Sequence, residues 1–280
     1  MRFDRNCIFV LGILTLLIIV LLVRRYLLIT QAAPNKRGKM KLLFFDETSD
    51  NKFKSYLGIC CAVIDLNFYS LLKIKFHEIL DKYNWPKDIE FKGVYLFSGS
   101  KGAKAINIDT RIEIASELLK LGASKENSRI KFYYYTTESN FQKETYLEKI
   151  PEILRKVLKK PTSKKSGKNV CSVSFDHRDD ISVNEFKDAI EDVIKEKDYI
   201  LFEDVLKPVS GYQTVGVLFA DIVAYVYSRV DIIQNDADLF ENLSEEQLNT
   251  NGKILKLKSS TSLLKNIKSF DVVKIKSNRK

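Results

Sequence analysis

The sequence predicts an α/β protein, a mixed sheet flanked by helices, with an N-terminal transmembrane helix ahead of it. Three observations carry this prediction. Two apolar runs of strand length, Lys41–Asp46 and Tyr56–Ile64, follow each other closely and suit a hairpin. From residue 66 onward, segments with helical spacing alternate with strand-like ones. The composition, 45% apolar over 280 residues, is enough to bury a sizeable core.

The N-terminus stands apart. Cys7–Val23 carries no charge and is followed by Arg24-Arg25. About twenty residues span a bilayer, with seventeen near the lower limit. A single transmembrane anchor is expected, and Arg24-Arg25 lies between the apolar stretch and the small residues Ala32-Ala33, which argues against a cleaved signal. Arg24, Arg25, Lys36, Arg37, Lys39 and Lys41 on the distal side outweigh Arg2 and Arg5, which places the large domain in the cytoplasm. The expected organisation is an anchor over residues 1–29, a polar linker over 30–40, a folded domain over 41–231 and a basic extension over 232–280.

Within the domain the elements read in order. Lys41–Asp46 is a strand, closed by turn chemistry in Thr48–Asn51. Leu66–Asn84 is a helix, with Leu71, Leu72, Ile74, Phe76, Ile79 and Leu80 recurring at helical spacing, ended by Trp85-Pro86. Ile89–Phe97 looks extended and runs into the loop Ser98–Gly102. Asp109–Leu121 is a helix with Asp109 as its N-cap. Ile130–Tyr135 is a strand, Phe141–Leu158 a helix interrupted near Pro151, and Lys159–Lys168 a basic loop. Val170–Asp176 is a strand, Val183–Glu196 a helix, Tyr199–Val205 a strand and Val215–Val230 an apolar helix.

Charge and cysteines narrow the chemistry. A net charge of +10 suits an anionic partner, nucleic acid or a lipid surface, or else a lysine-rich soluble face. The loop Lys159–Lys168 and the tail Lys253–Lys280 are the segments that could grip phosphates. Cys7, Cys60, Cys61 and Cys171 show no zinc spacing, and Cys60-Cys61 point to opposite faces of one strand, so they read as reduced, buried residues. Only His77 and His177 are present, too few for a histidine-based metal site, and no P-loop spacing occurs.

Four acids remain. Asp46 and Asp176 close apolar strands, Glu90 sits in Glu90-Phe91-Lys92-Gly93, and Asp221 interrupts a helix that is apolar almost all round. A carboxylate in such surroundings is costly without a cation or a proton. Hard oxygen donors suit Mg²⁺ or Mn²⁺. Spacing alone does not bring the four together.

At these residues the sequence resembles a known family. Asp46-Glu47-Thr48-Ser49-Asp50 looks like the strand-end Asp-Glu-Ser-Gly-Asp signature of the family called domain of unknown function 3800. Glu90-Phe91-Lys92-Gly93 resembles its Glu-x-Lys element, and Leu218–Tyr225 is similar to its late Leu-Gln-x-Ala-Asp helix, with Asp176 between them in order. The resemblance implies a ribonuclease H-like domain and a metal-dependent nuclease acting on RNA or DNA. It implies Asp46, Glu90, Asp176 and Asp221 as Mg²⁺ or Mn²⁺ ligands and catalytic residues, with Glu47 and Lys92 behind them or facing a phosphate. Thr48-Ser49 and Phe219 depart from the family pattern.

Overall fold

The computed structural model describes residues 40–49, 57–98, 103, 105–122, 130–137, 142–160, 169–176, 178–208, 214–235 and 272–275. The expected anchor and linker, His177, most of the basic loop and most of the C-terminal tail lie outside the described residues. Among the described residues no helix is long and apolar enough to cross a membrane.

Strand β1 (Lys41–Ser49) pairs antiparallel with β2 (Leu57–Asp65), and β2 antiparallel with β3 (Ile130–Thr137). The chain then returns to the other side of β1, where β4 (Asn169–Phe175) runs parallel to it, and β5 (Tyr199–Leu201) runs parallel to β4. A short β6 (Val272–Ile275) joins β3 in parallel, giving the order β5-β4-β1-β2-β3-β6. Among the described strands only β2 runs against the rest, so the fold is a mixed α/β sheet. The order reverses direction at β1, and crevices for ligands open at the carboxyl ends of strands flanking such a reversal.

Helices lie on both faces, which is why β1 and β2 read as nearly unbroken apolar runs, whereas β4 alternates, with Ser172 and Ser174 on one face. Leu42, Phe44, Cys60, Ala62 and Tyr134 point to one face. There they pack against α1 (Leu66–Lys82), α2 (Gly93–Ser98), α3 (Ile108–Gly122) and α6 (Val215–Asn235). Leu43, Phe45, Cys61, Val173 and Phe175 point to the other, against α4 (Lys143–Val157) and α5 (Val183–Glu196). Helix α6 lies directly over β1, and Gly216 makes this possible: a Cβ there would meet the Phe44 ring at 2.2 Å.

Helix ends follow local chemistry. Helix α1 closes in a Schellman turn, with Asn84 left-handed (φ 52) and the Trp85 N–H donating to Leu80 O at 2.9 Å. Helix α5 opens with a Ser182–Glu185 capping box.

Several expectations are corrected. Strand β1 continues past Asp46 to Ser49, because Thr48 and Ser49 pair with Gly58 and Leu57. The stretch Ile89–Phe97 is a loop leading into helix α2, not a strand. Lys92 O accepts from the Tyr95 and Leu96 N–H groups, and Phe91, Leu96 and Phe97 are all buried. Asn107, not Asp109, caps α3, accepting from the Thr110 N–H at 2.8 Å. Pro151 does not interrupt α4, whose buried stripe of Tyr146, Ile150, Ile153, Leu154 and Val157 holds the helix through it. Strand β5 ends at Leu201; Glu203 is left-handed (φ 57), and pairing resumes only as a bridge at Leu206. The extension over 232–280 is not wholly outside the fold, since it supplies the end of α6 and β6. Cys60, Cys61 and Cys171 are free and buried, as expected.

Candidate active site

Alternation along β1 puts Asp46 on the face of Leu42 and Phe44, opposite Cys60, at 5% exposure. The parallel ladder between β1 and β4 ends at Phe45↔Phe175. The Asp176 N–H still donates to Phe45 O at 3.0 Å, so Asp46 and Asp176 stand side by side as each strand's next residue. Ser172 and Ser174 share that phase of β4, and Asp176 follows them onto the same face.

Helix α6 brings the third acid. Its carboxylate, Asp221 Oδ2, accepts from the Gly93 N–H at 2.5 Å. A Cβ on Gly93 would lie 3.3 and 3.4 Å from the two Asp221 oxygens and 3.2 Å from Tyr225 Cβ, so glycine lets the backbone approach the carboxylate. The loop before Gly93 supplies the rest: Lys92 Nζ lies 3.5 Å from Glu90 Oε1 and 3.9 Å from Asp176 Oδ2. The four expected ligands thus belong to one electrostatic cluster.

The charges crowd one another. Burial, then Asp221, Asp176 and Glu47, pushes the Asp46 carboxyl well above the usual range, against the opposing Glu47 N–H. Loss of surrounding water raises Asp221 to about 6, with the Gly93 N–H and Lys92 pulling the other way. Burial alone would lower Lys92, but Asp176, Glu90, Asp221 and Asp46 together raise it.

Glu47 behaves differently from its neighbour. One residue on, it points to the opposite face, where Arg178 Nη1 donates to its Oε1 at 3.3 Å. Arg178 is itself held by Asp180 through two bonds of 2.9 and 2.6 Å and sits 5.0 Å from the centre of the Tyr146 ring. Glu47 therefore does not face a phosphate; it belongs to a buried network behind the acids. Burial raises it to about 7 even against Arg178. Glu47 Oε2 and the Tyr146 hydroxyl are buried without a hydrogen-bond partner among the described residues. Arg178 escaped the sequence reading because His177–Asp180 is indistinguishable from a solvated polar loop. Only its two-residue offset from Asp176 hinted at a place behind the site.

The donor set is all oxygen, shielded and crowded, which fits a hard divalent cation such as Mg²⁺ or Mn²⁺. Among the described residues, no three side chains are arranged as a ready cage around one point. Lys92 occupies the position between Glu90 and Asp176 that a cation would otherwise balance.

No protein-family model and no curated protein matches the chain. Among solved structures it is similar to RNase HII from Archaeoglobus fulgidus, in a complex with PCNA. That match has 12% identity, 86% of this chain and 95% of that one covered, and a TM-score of 0.39. It is also similar to a single-substitution mutant of Bst-RNase HIII, at 11% identity, 83% and 72% coverage and a TM-score of 0.40. A Bst-RNase HIII structure with Mn²⁺ gives 11% identity, 82% and 71% coverage and 0.38. Likeness at this level leaves the chemistry to be argued from the chain's own residues.

Proposed function

We propose that the protein is a metal-dependent phosphodiester hydrolase of ribonuclease H-like type, acting on RNA or DNA and anchored in a membrane by residues 7–23. The observation that supports this reading is that Asp46 and Asp176 stand side by side where the β1–β4 ladder ends, with Asp221 of α6 close enough to act on the Asp46 charge. Asp46, Asp176 and Asp221 would hold Mg²⁺ or Mn²⁺, with Glu90 completing the set. A divalent ion held there would supply Lewis-acid activation of water and charge neutralisation at the phosphate oxygens. Gly93 fixes the Asp221 carboxylate through its N–H. Lys92, a third exposed, is placed to swing from its carboxylate partners to a substrate phosphate. Asp46 lies deepest and sets the floor of the site.

The test is hydrolysis of labelled single-stranded and duplex oligonucleotides by the full chain with Mg²⁺, Mn²⁺ or chelator. Cleavage that needs the ion and is lost in Asp221→Asn supports the reading; equal behaviour of wild type and variant removes it. For the anchor, full-length protein should resist alkaline extraction from membranes, and a chain lacking residues 1–39 should be released.

A second reading is binding without turnover on the same fold. It draws on the Lys92 ammonium lying between Glu90 and Asp176, and on the lack of a ready ion cage among the described residues. Ion uptake and nucleic-acid binding without cleavage would favour it.

A further inference from the structure

A groove of about 530 Å³ opens on the α6 face of the sheet, over β1 and β4. Its floor is Leu42 and Phe44 from β1 and Ser172 and Ser174 from β4. These are the residues that precede Asp46 and Asp176 in the same phase of the same two strands. None of the site's carboxylates lines the groove itself, but Ser174 on its floor is about 7 Å before Asp176 along β4, at roughly 3.3 Å per residue. Its walls carry flat aromatic surface: Tyr69, stacked on Phe44 at 5.3 Å and 23°, and Phe202, half exposed. The rim is tied to the acidic loop, because Lys207 Nζ donates to Ile181 O at 2.9 Å and also to Arg178 O.

We propose that this groove receives the unpaired base of the nucleotide adjoining the phosphodiester that the carboxylates address, and that the substrate is therefore single-stranded at that position. The inference rests on the phosphodiester reading above. A purely apolar occupant would leave the Ser172, Ser174 and Thr214 hydroxyls facing hydrocarbon. A base meets both demands, stacking on the half-exposed Phe202 ring while its polar edge meets the hydroxyls. The register supplies the geometry: a chain whose phosphate reaches Asp176 places its neighbouring base beside Ser174, two residues back along β4.

Phe202 is the residue to change, since its half-exposed ring can be removed without opening the core. The probes are a fluorescein-labelled tetrauridylate and the same chain with its internal bases removed, titrated into the full-length protein by anisotropy. Phe202→Ala is expected to weaken tetrauridylate about 10-fold and leave the abasic chain unchanged. A 4-thiouridine tetranucleotide should crosslink, on irradiation, to the peptide containing Tyr69 or Phe202. Equal loss for both probes, no loss for either, no binding at all, or a crosslink elsewhere would overturn the assignment. Hydrolysis by Asp221→Asn separates the two ideas. If that variant cleaves like wild type while Phe202→Ala loses its base preference, the groove stands and the carboxylate chemistry falls. If it is inert and Phe202→Ala keeps full base preference, the groove alone falls.

Discussion

Asp46 and Glu47 are adjacent in sequence and occupy opposite faces of one sheet, and the contrast between those faces is instructive. On the α4–α5 face, Glu47 meets Arg178, a buried guanidinium at 7% exposure that is held in turn by Asp180. The charge there is largely answered from within the chain. On the α6 face, Asp46 meets Asp176 and Asp221, and Lys92 serves several carboxylates at once from 3.5 Å or more. One face sets a fixed guanidinium against its buried carboxyl, although burial still raises Glu47 to about 7. The other keeps an excess of negative charge in shielded surroundings, the condition under which an added cation gains most.

That contrast can be broken first on the Arg178 side. Arg178→Met leaves Glu47 facing the core without its guanidinium, and should cost about 3–5 kcal/mol in urea unfolding. Adding Glu47→Gln should recover most of it, since both charges are then gone. No such rescue is expected from Asp46→Asn.

Asp221→Asn should act in the opposite sense. Hydrolysis should fall by about 100-fold or more, while the ion-free protein unfolds no more easily than wild type at pH 8, because a crowded charge has been removed. A loss of both activity and ion-free stability would mean that Asp221 is structural.

The pH dependence sharpens the same point. Asp221 and Glu47, raised to about 6 and about 7, bind protons more tightly folded than unfolded. Their contribution is therefore fully present below about pH 4 and is lost as pH rises through 6 to 7. Without divalent ions the protein should lose on the order of 2–3 kcal/mol between pH 5 and pH 8. Mn²⁺ should restore the Asp221 part of that loss at pH 8, leave the Glu47 part, and do little at pH 5, as followed by thermal unfolding.

The smallest effect expected is at Gly93. Gly93→Ala presses a methyl group against Tyr225 and Asp221 and should cost about 1 kcal/mol. It should also weaken ion affinity by about 10-fold through the misplaced carboxylate.

Much of this was legible in the sequence, for identifiable reasons. Strands β1 and β2 are legible as apolar runs because helices cover both their faces, and β4 is legible from its two-residue alternation. Asp221 stood out because a carboxylate amid Leu218, Phe219, Ala220, Ile222 and Val223 has no local reason to be there. Asp46 and Asp176 were marked by closing such runs, yet their adjacency is a matter of register, which only the β1–β4 pairing decides. The stretch around Phe91 misled, because its apolar residues suit a strand, while burial of Phe91 against Trp85 and Phe76 and the Lys92 carbonyl turn it into a helix. The two-residue period of a strand is what puts Glu47 behind the acids rather than facing a phosphate. Arg178 and Gly93 act through partners 131 and 128 residues away, a distance no local pattern spans.

The most direct measurement is calorimetric titration of Mn²⁺ into the full-length protein at pH 6 and pH 8, for wild type, Asp46→Asn and Glu47→Gln. The account predicts saturable uptake by wild type with proton release at pH 6, loss of uptake in Asp46→Asn, and uptake kept in Glu47→Gln. Absence of uptake in wild type, or equal loss in both variants, would contradict it.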